Sequence, residues 1–299
     1  MKPPAEAELD DALVRQLLQS QFPAWATLEL THVDGGWNNE MYRLGADLAV
    51  RVPRRLIGAQ RVERQHRWLP LLAPRLPLPI PVPVGKGEPG FSYPWRWSVV
   101  PWFDGRPASV SSPPKRTVAT GLLTTFLRAL WGCDSSGGPV DDLRGTPLRL
   151  RDEQLRSTVG LLRPVLASTG QILGVWHDAL RLPEWDGLPK WLHGDLHPGN
   201  ILVRQGALVA VIDFEHMGAG DPACDLLVAW TLLGPPERQL LRDELEIDDA
   251  TWLRGRGWAI EFGARALAYS APSAPLWRVG HTALTETMAD AGVELSWRE

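Results

Sequence analysis

The apolar residues of this chain follow two periods, first alternation and then helical spacing, and the changeover comes near residue 101. Leu13, Leu17 and Leu18 predict a short helix over Asp11 to Gln19. Leu28 to Val33 predicts a strand that ends at the turn signal Asp34-Gly35-Gly36. Met41 to Leu44 and Leu48 to Val52 predict a hairpin around Gly45-Ala46-Asp47, closed off by Pro53, which cannot donate to a ladder. Gln60 to Leu72 carries Val62, Trp68, Leu69 and Leu72 and reads as a helix. The proline-dense stretch Pro74 to Pro89 looks at first like a linker. However, Leu78, Ile80, Val82 and Val84 alternate with its prolines, which predicts an extended, packed edge segment. Trp95 to Val100 is a further strand, and Pro101 to Pro107 reads as a connection between lobes.

From Thr117 the spacing is helical, with Leu122, Leu123, Phe126, Leu127 and Leu130 on one face. Ser135 to Thr146, rich in Gly, Pro and Asp, reads as an exposed loop. Arg151 to Leu180 predicts two helices broken near Pro164. Trp191-Leu192, Asn200 to Val203 and Ala207 to Ile212 read as short strands, and helices follow from Asp221 onward. No solenoid-like repeat is present. The expectation is an α+β chain with an N-terminal antiparallel-sheet lobe over 1–101 and a larger, mainly helical lobe over 102–299.

Composition narrows the class. Of 299 residues, 44% are hydrophobic and 22% charged, a normal globular balance. The formal net charge of -4 argues against nucleic acid as a partner and is compatible with a cationic substrate. Cys133 and Cys224 are too few and too far apart for a disulfide framework. Met1 to Asp10 lacks an apolar signal core, and no run approaches the ~20 apolar residues that span a bilayer. These features predict a cytoplasmic protein with no membrane partner. Oligomeric state is not legible.

The chemistry concentrates in His193-Gly194-Asp195-Leu196-His197-Pro198-Gly199-Asn200 and Val211-Ile212-Asp213-Phe214. Singly, Asp195 and Asp213 would be turn and cap residues. Their joint spacing between apolar strands points to phosphoryl transfer, in which catalysis is mostly positioning and charge neutralisation. Asp213, after an apolar strand, suits Mg2+, which prefers hard oxygen ligands, and the Asn200 amide oxygen can share it. Asp195 can orient an acceptor hydroxyl and take its proton late in transfer. His193 is expected to brace the loop through hydrogen bonds.

The stretch Trp191 to Val203, with Ile212-Asp213-Phe214-Glu215 and Gly220-Asp221-Pro222-Ala223-Cys224-Asp225-Leu226, resembles the aminoglycoside phosphotransferase family, relatives of the protein kinases. The likeness extends more weakly from about Leu28 to Tyr269. It implies a bilobal kinase-like fold with the nucleotide between the lobes. It also implies a catalytic Asp195, metal ligands Asn200 and Asp213, and ATP or GTP as cosubstrate. Asp221 is expected to brace the catalytic loop and Asp225 to cap or anchor the next helix, although an aspartate before proline, as in Asp221-Pro222, is also a natural cap. Gly194 stands where protein kinases have arginine, and Asp221-Pro222 follows Asp213 closely. Both argue against a phosphorylated activation segment. Glu215 stands where protein kinases have glycine, either near metal or substrate or as a surface residue.

On the nucleotide side, Gly35, Gly36 and Asn38 lie in a glycine-bearing turn whose backbone could approach phosphates, although two glycines also make an ordinary hairpin. Resemblance places Arg51 where protein kinases use lysine, with Glu63 as its carboxylate partner. Read alone, Arg51 is an edge-strand arginine and Glu63 part of a solvated face with Arg61, Arg64 and Arg67. Resemblance also gives the backbone around Val99 to Trp102, including Val100, to the purine. The implied acceptor is a hydroxyl-bearing small molecule, aminoglycoside-like or another antibiotic. The alternatives are a primary-metabolite alcohol, or a nucleotide-binding scaffold with little turnover. Glu261, inside Trp258-Ala259-Ile260-Glu261-Phe262, reads as either helix-exposed or turned into a pocket.

Overall fold

A computed structural model describes residues 3–33, 36–111 and 116–298, and the chain divides into two compact units. The first unit comprises Met1–Pro74 and Pro79–Asp104. Its elements are α1 (Asp11–Gln21), β1 (Leu30–Val33), β2 (Asn39–Leu44), β3 (Leu48–Pro53), α2 (Leu56–Leu72), β4 (Gly85–Gly87) and β5 (Trp97–Pro101). The strands form one antiparallel sheet in the order β1-β2-β3-β5-β4. The proline-rich stretch thus supplies an edge strand, β4, with Ile80 buried before it. The Asp10 side chain caps α1 by accepting from the Leu13 amide at 2.7 Å. Leu13, Val14, Leu17 and Leu18 turn inward from α1 against Tyr42, Leu44, Val50, Val52, Trp97 and Val99. Helix α2 begins earlier than its apolar pattern suggests, because Leu56 and Ile57 are exposed and carry no periodic signal.

His66 on α2 is buried in this unit, and its Nε2 lies 2.7 Å from the Ser98 hydroxyl. Burial, with Lys86 and Arg96 nearby, lowers its pKa from 6.5 to about 4. The unfolded chain therefore takes up this proton first as pH falls, and stability held above pH 6.5 is lost towards pH 4. His66→Gln is expected to shrink the difference in unfolding free energy between pH 7 and pH 5 by about 2 kcal/mol, measured by urea denaturation. An unchanged difference would show that His66 is not buried as the neutral imidazole.

The second unit comprises Arg75–Leu78 and Gly105–Glu299. It opens with β6 (Arg106–Pro107), α3 (Arg116–Trp131), α4 (Asp152–Leu161) and α5 (Thr169–Leu180). Then come β7 (Lys190–Leu192), β8 (Ile201–Arg204), β9 (Ala207–Val211) and β10 (Gly218–Gly220). It ends with α6 (Val228–Leu232), α7 (Pro235–Glu244), α8 (Asp249–Tyr269) and α9 (Pro275–Asp290). A three-stranded sheet runs β6-β8-β9, and β10 pairs with β7. Gln205 and Gly206, both with positive φ, make the tight β8–β9 turn. The helical core gathers Trp176, Trp258, Ile260, Leu284 and Met288 around Leu155, Val159 and Ile172. No helix among the described residues is long and apolar enough to cross a membrane.

Ser135 to Thr146 is a loop, as expected, with Ser136, Gly137, Val140, Asp142 and Leu143 exposed, but it is tied down at two points. Ala219 donates to Pro139 O at 2.7 Å and Asp221 to Gly145 O at 3.0 Å. Asp141 and Arg144 are buried within it. Glycine and proline in that stretch encode a tight path along β10 that buries two charged residues while the rest of the loop stays largely open to solvent.

Candidate active site

The loop between β7 and β8 carries Asp195, and its backbone is fixed from two sides. Asp225, fully buried, accepts from the His193 amide at 2.9 Å and the Gly194 amide at 2.8 Å. His193, also fully buried, lies with Nε2 2.9 Å from Ile212 O, while its Nδ1 accepts from the Asp195 amide at 3.2 Å. That pattern selects the Nε2–H tautomer. Burial lowers the His193 pKa to about 4, so the ring braces the loop as a neutral group. Burial also raises the Asp225 carboxyl to about 6, against the two backbone donors that favour its charged form. The expected division of labour between the two aspartates is therefore reversed. Asp225 braces the Asp195 loop. Asp221 caps the following 3-10 turn through the Ala223 amide at 3.0 Å and pairs with Arg254 at 2.7 Å.

Within the loop, Asn200 Nδ2 donates to Asp195 O at 2.9 Å. The Asn200 amide oxygen is thereby turned away from that carbonyl. His197 Nδ1 accepts from the Gly199 amide at 3.0 Å, which puts the ring proton on Nε2, 3.4 Å from Asp195 Oδ2. The His197 ring packs against Phe262 at 4.7 Å between centroids.

Asp195 is further bordered by Arg144 Nη2 at 3.7 Å and Arg265 Nη2 at 3.6 Å, both from Oδ1. Burial alone would raise its pKa, but His197, Arg144 and Arg265 hold it well below the usual carboxylate range. Its Oδ1 accepts no hydrogen bond. A carboxylate this acidic is a weak base, suited to orienting a hydroxyl and taking its proton only late.

Glu261 is buried, not helix-exposed. Its carboxylate meets Arg144 Nη1 at 3.0 Å, and Arg151 Nη2 and Arg265 Nε at 3.6 Å each. Burial would raise this carboxyl, but the three arginines pull it down. Three residues that sequence reading did not single out thus meet at Asp195: His197, Arg144 and Arg265. The i,i+4 spacing of Glu261 and Arg265 was the available signal for Arg265.

Asp213 follows β9 with φ 62°, a left-handed conformation that aspartate tolerates better than most residues, and its side chain is exposed. Asn200 and Asp213 are linked through the backbone, since the Ile212 amide donates to Asn200 O at 2.9 Å. One carboxylate plus one amide oxygen is a donor set that fits Mg2+, which keeps several waters and is completed by nucleotide phosphates. Among the described residues no group of three His, Cys, Asp or Glu is placed to hold an ion.

In the first unit, Arg51 is buried on β3, and its Nη1 donates to Gln65 Oε1 on α2 at 2.6 Å. Resemblance led us to expect the Glu63 carboxylate in that place, but Glu63 is exposed on the same helix. Gly36 is exposed with open space around its Cβ direction, and Gly35 lies outside the described residues. Asn38 is buried; its carbonyl accepts from the Arg54 amide at 2.8 Å and its Oδ1 from Arg55 at 3.3 Å. A methyl on Gly58 would come within 2.6 Å of that carbonyl, so the start of α2 is seated on Asn38. Val100 is buried in β5, and the Trp102 amide donates to Asp47 O at 2.7 Å.

Comparison with known proteins agrees with this architecture. The GDP and kanamycin complex of APH(2")-IIia matches with a TM-score of 0.71 at 18% identity, over 94% of this chain and 99% of that one. The apoenzyme of macrolide 2'-phosphotransferase MphH from Brachybacterium faecium matches with a TM-score of 0.62 at 21% identity, over 92% and 98%. At these identities the likeness establishes the fold, which is that of the protein kinases. A segment of 76 residues is 37% identical to the uncharacterized protein YcbJ of Bacillus subtilis (strain 168), covering 25% of this chain but only 23% of that protein. The family model of the phosphotransferase enzyme family matches residues 29–258, from the first strand into α8, and the chain belongs to that family.

Proposed function

We propose that this protein transfers the γ-phosphoryl group of ATP or GTP to a hydroxyl of a small molecule. The observation that most supports this is the loop from His193 to Asn200. Its backbone is clamped by Asp225 and its one uncommitted carboxylate oxygen, Asp195 Oδ1, is bordered by guanidiniums. In this reading Asp195 orients the acceptor hydroxyl and accepts its proton late, while His193 and Asn200 hold the loop. Asn200 Oδ1 and the Asp213 carboxylate would hold Mg2+, which when bound neutralises the charge of the nucleotide phosphates.

The proposed nucleotide contacts are the backbone around Gly35 and Gly36, Asn38, the Arg51 guanidinium, and the β5 backbone at Val100 and Trp102. Trp102 would act through its carbonyl or ring, since its amide is committed. Glu63 would join them only by turning in from the α2 surface. Solved relatives are complexes with kanamycin, gentamicin and streptomycin, so antibiotic alcohols of that kind, alongside primary-metabolite alcohols, form the first acceptor panel.

The test is Asp213→Ala. Its exposed side chain supports no core, so the variant should fold. Calorimetric titration should show Mg2+-dependent ATP or GTP binding in the wild type, weakened about a hundredfold in the variant. Equal binding with and without Mg2+ in both proteins would sink the reading.

A further inference from the structure

Arg144 and Arg265 border Asp195, Arg151 joins them on Glu261, and these carboxylates do not use up the arginines' donors. Arg144 comes from the Ser135 to Thr146 segment, in which it is itself buried, Arg151 from the turn before α4, and Arg265 from α8. Glu261 serves all three. The distances of 3.6 and 3.7 Å from Arg265 and Arg144 to Asp195 are ion-pair distances, too long for hydrogen bonds. The Nε and Nη2 of Arg265, and the Nε of Arg144 and of Arg151, are closed to solvent and donate no hydrogen bond. Such unmet donors are costly, and a turn of the partly exposed Arg265 side chain would offer its N–H groups to ligand oxygens. Asp141, the buried one of the two aspartates in the Ser135 to Thr146 segment, lies 3.4 Å from His216 Nδ1.

From this geometry we infer that the acceptor carries an anionic group, a carboxylate or phosphate, beside the hydroxyl that is phosphorylated. Arg265 is its principal contact. This rests on the phosphotransferase reading and specifies its substrate class. Arg265 is the arginine best placed to reach a ligand, because its side chain is 36% exposed whereas that of Arg144 is 5% exposed. Burial first, and then the like charge of Arg144, depress the Arg265 pKa against the pull of Glu261 and Asp195. An incoming anion would favour its charged form. An ammonium-rich acceptor would instead meet guanidiniums at the oxygen it must approach, a like-charge contact that disfavours binding. The mild net negative charge of the chain thus misleads about the local field at Asp195.

A charge-matched series tests the inference. Gluconate, glucitol and glucosamine present similar polyols bearing a carboxylate, no charge and an ammonium, with inorganic phosphate as a bare anion and kanamycin as a polycation. Binding is titrated calorimetrically in Mg·ADP at constant ionic strength, for wild type and for Arg265→Gln and Arg265→Glu. Thermal melts confirm that the variants are folded. Gluconate or phosphate should bind at least about tenfold more tightly than glucitol, and glucosamine and kanamycin more weakly. Arg265→Gln should erase that preference and Arg265→Glu should invert it.

Two results overturn the inference. One is that neither anion outbinds glucitol in the wild type. The other is that both variants weaken every probe equally, which would give Arg265 to the transferring phosphoryl group rather than to the acceptor. Absence of Mg·ADP binding in the wild type would overturn the phosphotransferase reading itself, and is seen before any probe is added.

Discussion

Asp195→Asn is expected to lower phosphoryl transfer by about a thousandfold or more, while Mg·nucleotide binding persists. The substitution keeps the shape of the side chain and removes its charge. The loop itself does not depend on that charge. Its geometry comes from Asp225 on the His193 and Gly194 amides, and from Asn200 on the Asp195 carbonyl. What disappears is the oxygen that would align an acceptor hydroxyl and receive its proton. The amide also presents N–H groups towards Arg144, Arg265 and His197, which are donors themselves, so a correctly oriented oxygen cannot be held in place. Steady-state assays with a transferred phosphoryl label, paired with nucleotide titration, separate the two effects. A loss of nucleotide affinity as large as the loss of rate would mean that Asp195 holds the loop rather than the acceptor.

Gly194→Ala should be almost as damaging, for a reason of backbone geometry. Gly194 has φ 82°, where an L side chain is strained. Its added methyl would lie 2.2 Å from the His216 carbonyl oxygen, a backbone atom that cannot swing aside. The neighbouring amides are held by the buried Asp225, so the loop cannot retreat without breaking those bonds. Strain and overlap together should cost about 3 kcal/mol or more. The melting temperature should fall by several degrees, and kcat with it as Asp195 is displaced. Gly160→Ala is the control. It lies on α4 with nothing within 4 Å of its added Cβ, and should be neutral or slightly stabilising. Comparable losses in both variants would contradict the clamp.

What the sequence revealed about the site was what is local in the chain. Asp195, Asn200 and Asp213 are separated by a single hairpin, so their spacing alone carried their joint meaning. The arginines beside them were hidden because burial of a charge is a tertiary fact. Arg144 sits in a stretch whose glycines and prolines look like a solvated loop, yet it is fixed to β10 and closes on Glu261. For Glu261 the sequence itself favours the buried alternative. A helix apolar on every side leaves no exposed face, and Trp258, Ala259, Ile260 and Phe262 are all buried with it. Asp221 before Pro222 carried a local cap signal, which the structure bears out, but nothing local showed that Asp225 reaches the loop, since that depends on how the intervening 3-10 turn is rotated. Gln65 in place of Glu63 beside Arg51 is the same kind of case, a matter of which helix face meets the sheet.

The central claim is that the Asp195 loop delivers a phosphoryl group to a small-molecule hydroxyl. The most direct measurement follows the γ-label of ATP or GTP, incubated with Mg2+, the protein and a fractionated pool of hydroxylated metabolites and antibiotics. The account predicts label in a small-molecule product for the wild type and none above background for Asp195→Asn. Label that appears on protein, or only as inorganic phosphate at the same rate in both, would contradict it.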